Sequence, residues 1–125
     1  MANFNLNSHV VPFFDSVKTP LTEAKASDSA WNNGYDNLSI EISGEGSATI
    51  VVQGCVNTVD ANGQQLDDAS VQWTDLGMIS AKDYSSKTEL TEKGIYFVGI
   101  VGISRIRVNA TSVSGSVTIV GAFSK

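Results

Sequence analysis

His9 and Cys55 are the single histidine and the single cysteine of the chain. A Ser-His-Asp triad, a Cys-His pair or a structural zinc site would therefore have to pass through one or both. A Ser-His-Asp triad needs His9 as its base, yet His9 stands near the terminus with no nucleophile motif beside it and no G-x-S-x-G occurs anywhere. A Cys-His pair needs Cys55 and His9 to meet in space, and a lone cysteine at a strand end reads more simply as a small buried apolar side chain. The two cannot close a structural zinc site without carboxylates or a second chain. Glycines fall singly at turns, so there is no phosphate loop and no dinucleotide fingerprint. Asp60, Asn62, Asp67 and Asp68 cluster in one polar stretch. Oxygen ligands on such a loop could hold Ca²⁺, but the spacing departs from the EF-hand pattern, and a solvated loop rich in Asp, Asn and Gly is the simpler account. Carboxylate pairs for glycoside hydrolysis could be drawn from Glu41, Asp67, Asp68, Asp75 or Glu89, a choice with almost no specificity. The expectation is a non-enzymatic protein with no cofactor and no bound metal.

Two other residue classes could recognise a ligand or a partner. Trp31, Tyr35, Trp73, Tyr84 and Tyr96 could form a stacking platform for sugars, since flat rings cover sugar C–H surface while polar neighbours bond the hydroxyls. Against this, Trp73 lies upstream of Leu76 and Ile79 on one apparent strand, and Tyr96 is in register with Val98 and Ile100, so both read as core. Trp31 sits in the turn cluster DSAWNNG and keeps both readings. Arg105 and Arg107 point the same way along one extended segment. They could meet an acidic partner or pair with Asp or Glu on an adjacent strand, which cross-strand geometry favours. Phe4 and Leu6 are apolar anchors in a polar, Asn-rich N-terminus, either a frayed end or an arm that docks on a neighbour. The candidate partner contacts are therefore Phe4, Leu6, Trp31, Arg105 and Arg107.

The elements that must position these residues are strands. In Arg105–Ala110 the polar residues Arg105, Arg107 and Asn109 alternate with Ile106, Val108 and Ala110, which predicts one wet face and one buried face. Leu38, Ile40 and Ile42 alternate with polar residues in the same way, as do Ala48, Ile50 and Val52. The Gly44-Glu45-Gly46 turn between those two runs predicts a β-hairpin. Val51 falls on the polar side as an exception. Val10–Phe14 reads as an edge strand because Pro12 cannot donate to a ladder. Residues 21–27 are weakly patterned, either a short helical turn or an exposed strand. Asn57–Ser70 is a long polar loop with its tip at Asn62-Gly63. Val71–Ser80 reads as a strand bent or bulged at Gly77. Further strands are expected at 88–91, 95–101, 104–111 and 116–123, the last with Val117, Ile119, Gly121 and Phe123 on one face. About seven to nine strands with no helical period predict an all-β, two-sheet antiparallel β-sandwich, jelly-roll or Greek-key.

The bulk properties agree with one domain, residues 1–125, with 1–9 as a flexible or docking arm. The chain has 125 residues, 42% of them hydrophobic, and a net charge of −5. Acidity and scattered lysines argue against a nucleic-acid surface. A single cysteine allows no internal disulfide. No apolar run approaches the roughly 20 residues of a membrane helix, and no signal-peptide pattern opens the chain. The expectation is a soluble protein made in a cytoplasm.

The order VVQGCVNT, polar loop, VQWTDLG and GIYFVGIVGISRIRVNATSVSGSVTIVG resembles the small β-sandwich structural proteins of tailed bacteriophage virions. The matching positions are Val52, Gly54, Trp73, Leu76, Gly94, Tyr96, Gly102, Arg105, Arg107, Val108 and Ser114–Thr118, within about residues 35 to 123. Cys55 departs from the usual Ser, and the Asp-rich loop is longer than the usual compact turn. The resemblance implies a head-decoration or accessory capsid protein, localised to the virion, that binds phage capsid or tail proteins, with a second copy of itself as a further candidate partner. High copy number on a symmetric lattice would turn weak contacts into firm attachment. The alternative is a carbohydrate-binding or receptor-contact module on the same kind of particle.

Overall fold

Burial follows the alternation of the sequence. In Asn37–Ser43 the residues Leu38, Ile40 and Ile42 are buried while Asn37, Glu41 and Ser43 are exposed. The computed structural model describes residues 8–125. Among them run eleven strands: β1 (Ser8–Phe14), β2 (Lys25–Ala26), β3 (Ala30–Trp31), β4 (Asn37–Ser43), β5 (Ser47–Cys55), β6 (Thr74–Asp75), β7 (Met78–Ser80), β8 (Ser86–Lys87), β9 (Gly94–Gly99), β10 (Arg105–Ser114) and β11 (Thr118–Ser124). All pairings are antiparallel. One sheet has the order β1-β11-β4-β9-β7-β8; in the other β10 and β5 lie side by side, β2 and β3 both flank β10, and β6 flanks β5. The chain is an all-β sandwich of two antiparallel sheets. The strand count exceeds the expected seven to nine because four strands are two residues long, too short for alternation to reveal.

The core lies between the sheets. Leu38, Ile40, Tyr96, Val98, Ile119 and Phe123 of the six-stranded sheet face Ile50, Val52, Ile106, Val108 and Ala110 of the other. Tyr96 is buried as expected, and its hydroxyl donates to the Glu92 carbonyl at 2.8 Å. β1 is an edge strand, as Pro12 required, and its register slips between Pro12 and Phe14. Phe13 and Phe14 are both buried. Gly121 leaves the space that the Phe13 ring fills, since a Cβ there would come within 2.6 Å of the ring. Ser8 and His9 already pair with Ser124 and Phe123, so the strand starts inside the stretch read as an arm. Phe4 and Leu6 lie outside the described residues.

The expected β4–β5 hairpin is not there. β4 pairs with β11 and β9, whereas β5 pairs with β10 and β6. The Gly44-Glu45-Gly46 turn therefore crosses from one sheet to the other. The connection from β10 to β11 makes the same crossing beside it, and the Gly46 amide donates to the Ser116 carbonyl at 2.9 Å. The segment read as one strand, 71–80, also changes sheet: β6 joins β5 and β7 joins β9, with Gly77 between them. Residues 25–26 settle as strand, paired with β10.

Candidate functional site

The outer face of the β10–β5 sheet carries both arginines, both tryptophans and the cysteine. Antiparallel register sets Arg105 opposite Cys55, Arg107 opposite Gln53 and Asn109 opposite Val51, and directly opposed residues share a face. Arg105 also pairs with Trp31 of β3. The alternation read from 105–110 is correct in direction, but this face is not wet at its Arg105 end. Arg105 is only 4% exposed and Cys55 is buried; Val51 is buried too.

Two stacks cover it. The Arg105 guanidinium carbon lies 4.5 Å from the Trp31 ring centre, and that of Arg107 lies 4.4 Å from the Trp73 ring centre. Such stacks join ring quadrupole to cation while shielding both from water. Trp73 is thus half-buried on the outside of the sandwich, not part of the core. It lies just before β6, which joins β5, whereas Met78 beyond Gly77 joins the other sheet, so the two residues do not share one strand. Its indole N–H donates to the Asp68 carbonyl at 2.8 Å.

Asp68 joins the parts. Its Oδ1 accepts from the Ser29 hydroxyl at 2.7 Å and from Arg105 Nη1 at 3.4 Å, and its Oδ2 accepts from the Ser29 amide at 3.0 Å. The acidic partner of Arg105 therefore comes from the long loop and not from an adjacent strand. Arg107 has a cross-strand partner, but a neutral one: its Nε donates to Gln53 Oε1 at 2.8 Å, and Gln53 Nε2 donates to Asp75 at 2.9 Å. Arg105 Nε is buried without a hydrogen-bond partner, so Arg105 is held by its ion pair and its stack. Burial lowers the Arg107 pKa below its ordinary value, with the Asp68 charge opposing. Burial likewise pushes the Cys55 thiol up from 9.0, which leaves it protonated and weakly nucleophilic near neutral pH. Asp60 caps its own turn instead of reaching across: its Oδ1 accepts the amides of Asn62 and Gln64 at 2.8 and 2.9 Å. Among the described residues no three His, Cys, Asp or Glu side chains converge as metal ligands. The cluster is built to clamp the 57–73 loop over the sheet.

Three open surfaces stand out, of which the first adjoins this clamp. Trp31 is 44% exposed and lines a cleft of ≈ 290 Å³ with Gly34, Tyr35, Asp36, Gly102 and Ser104. A larger cleft, ≈ 550 Å³, lies at the opposite end between the paired sheet crossings, with Glu45, Glu92 and Lys93 at its rim and no aromatic side chain. The third surface is the outer face of the six-stranded sheet. Register places Val10, Ala122, Ser39, Phe97 and Ile79 in one row, and Pro12, Val120, Glu41 and Ile95 in the next. Val10 is 60% exposed, and Ile79, Ile95 and Phe97 each about 45%. Neither this face nor the Asp68 hub was found from sequence. The register of Tyr96 with Val98 and Ile100 marks the buried side of this segment, but Ile95 and Phe97 on its other side are apolar too, and alternation alone gives no sign that their side stays uncovered.

No protein-family model and no curated protein matches this chain. Two crystal structures share its fold. The SPBc2 prophage-derived protein YomS is similar over the full length of both chains, at a TM-score of 0.73 and 19% identity. The PBSX exported protein XepA is similar over 98% of this chain, at a TM-score of 0.72 and 14% identity, and this chain spans 40% of XepA. At these identities the likeness is one of fold.

Proposed function

We propose that the chain is a non-enzymatic, phage-associated structural protein, a head-decoration or accessory capsid protein that attaches to the assembled particle by the outer face of its six-stranded sheet. The observation that carries this reading is the contrast between the two outer faces. One is covered at its Arg105 end by the protein's own loop, through Asp68 and Trp73. The other leaves Val10, Ile79, Ile95 and Phe97 open around a single carboxylate, Glu41. Contiguous exposed apolar surface of this kind marks interaction sites on soluble proteins. A fold shared with a prophage-derived protein supports the phage association. The absence of an enzymatic role is supported by the separation of the two reactive side chains, His9 on β1 of one sheet and Cys55 on the outer face of the other.

The test is co-sedimentation of the purified chain with assembled particles of its own phage. Phe97→Glu places a second carboxylate on the open face, where no core contact is lost. The expected result is attachment of the wild type and at least about tenfold weaker attachment of the variant, as for loss of a central interface anchor. Wild-type protein that stays in the supernatant overturns the reading.

A further inference from the structure

We propose that the cleft beside Trp31 binds a neutral sugar ring. The cleft sits where two connections between the sheets run together, β3 to β4 and β9 to β10. Asn32 ties them: its Nδ2 donates to the carbonyls of Tyr35, Ile100 and Ile103 at 3.0 to 3.1 Å, and its Oδ1 accepts the Tyr35 amide at 2.8 Å. Two main-chain bonds reinforce the tie, Asn32 N to Ser104 O at 2.9 Å and Ile100 N to Asp36 O at 3.0 Å. The walls are thus set before any ligand arrives.

The indole is set as well. Trp31 pairs with Arg105 in the sheet and stacks on its guanidinium, and Arg105 is anchored by Asp68 and Ser29. One ring face is backed by a buried cation, yet 44% of the residue remains in solvent. A rigid, exposed aromatic platform costs little entropy to use. Trp73 supplies the internal contrast. It stacks on Arg107 in the same way, but it is half-buried, its N–H is taken by Asp68, and it lines none of the three surfaces described above.

The charges select the ligand class. An anion would meet Asp36 at the rim and a chain of net charge −5; Arg105 is buried and already paired, so it cannot offset this. A cation would compete with Arg105 for the same ring quadrupole. A neutral ring with C–H groups on one face and hydroxyls at its edge fits an indole beside a carboxylate and the exposed main chain of Gly34 and Gly102.

Proton–nitrogen correlation spectra of the full chain test this. They show two indole N–H signals, and Trp31→Ala identifies which belongs to Trp31. The methyl glycosides of glucose, galactose and N-acetylglucosamine are titrated, with choline chloride and inorganic phosphate as charged controls. The expected result is a saturable shift of the Trp31 signal with at least one glycoside, at a Kd on the order of 1 mM for so shallow a site, while the Trp73 signal stays. Asp36→Ala weakens that binding by about tenfold through loss of a charged acceptor. Its side chain is exposed, so this variant serves if Trp31→Ala does not fold. No shift with any of the three glycosides overturns the proposal, as does a shift with choline or phosphate alone, or a shift of the Gly34 and Gly102 amides that survives Trp31→Ala. The site is independent of the particle-binding face: both variants are expected to co-sediment as the wild type does, so either reading can fail alone.

Discussion

At the scale of single residues, the informative pair is Arg105 and Asp68. A buried guanidinium is costly unless its charge is compensated, and removing one partner of such a pair strands the other. Here the compensation is lean: one ion pair at 3.4 Å, one indole at 4.5 Å, and a buried Nε with no partner. Asp68 also holds Ser29, which precedes β3, so the same carboxylate positions the strand that carries Trp31. Asp68→Ala is therefore expected to lower stability by about 3 kcal/mol, at the low end for a broken buried pair because the Asp68 side chain is 37% exposed. Adding Arg105→Met removes the stranded charge while keeping an apolar stem under Trp31, and should restore part of the loss. Urea midpoints of the two variants decide it. A double variant less stable than Asp68→Ala alone would show that the arginine acts by something other than its pairing.

At the scale of elements, the sandwich is organised by sheet crossings. The β4–β5 and β10–β11 turns lie side by side with backbone against backbone. A Cβ on Gly46 would collide with the Ser114 carbonyl oxygen and come within 2.6 Å of the Ser116 amide. Neither group can swing away as a flexible side chain could. Gly46→Ala is expected to cost about 1–3 kcal/mol, the range for overpacking a close contact. Gly77→Ala, at a crossing where a Cβ meets nothing within 4 Å, should change stability by less than about 0.5 kcal/mol. Equal losses in thermal or urea unfolding would contradict the account. The same crossings mark what the sequence could and could not tell. Alternation reports which side of a strand faces inward, and it placed Leu38, Ile40, Ile42, Ile106 and Val108 correctly. It says nothing about which strand lies alongside. A Gly-x-Gly turn between two alternating runs suits a hairpin and a crossing equally, and the contact that decides between them comes from residues 114–118, far along the chain. The candidate site was hidden for a related reason. β3 is two residues long, and Asp68 reaches Arg105 only because a long loop folds back over the sheet.

At the scale of the whole molecule, the two sheets differ in their outer faces: one is covered by a loop at its Arg105 end, the other is open. The titratable groups set the pH range over which this arrangement holds. Asp15 sits below its ordinary 3.8 because it accepts the amides of Val17, Lys18 and Thr19. Asp83 is lowered by the Ser85 hydroxyl and amide. A depressed carboxyl pKa means that folding favours the ionised form, so this stabilisation is present above 3.8 and is lost as pH falls through the lower folded value. Cys55 and Tyr96 shift the other way. Burial raises the thiol above 9.0, and burial together with the charges of Glu92 and Asp83 raises the phenol above 10.0. Folding then favours the neutral forms, so their contribution is complete below those values and is lost as pH climbs through the folded ones. Urea midpoints should therefore form a plateau between pH about 4 and about 9, with a decline on each side. Asp15→Asn with Asp83→Asn should flatten the acid limb and leave the alkaline one. Cys55→Ala should delay the alkaline decline and leave the acid one. Stability that stays level on acidification below 3.8 would show that these local hydrogen bonds contribute nothing measurable to the acid limb.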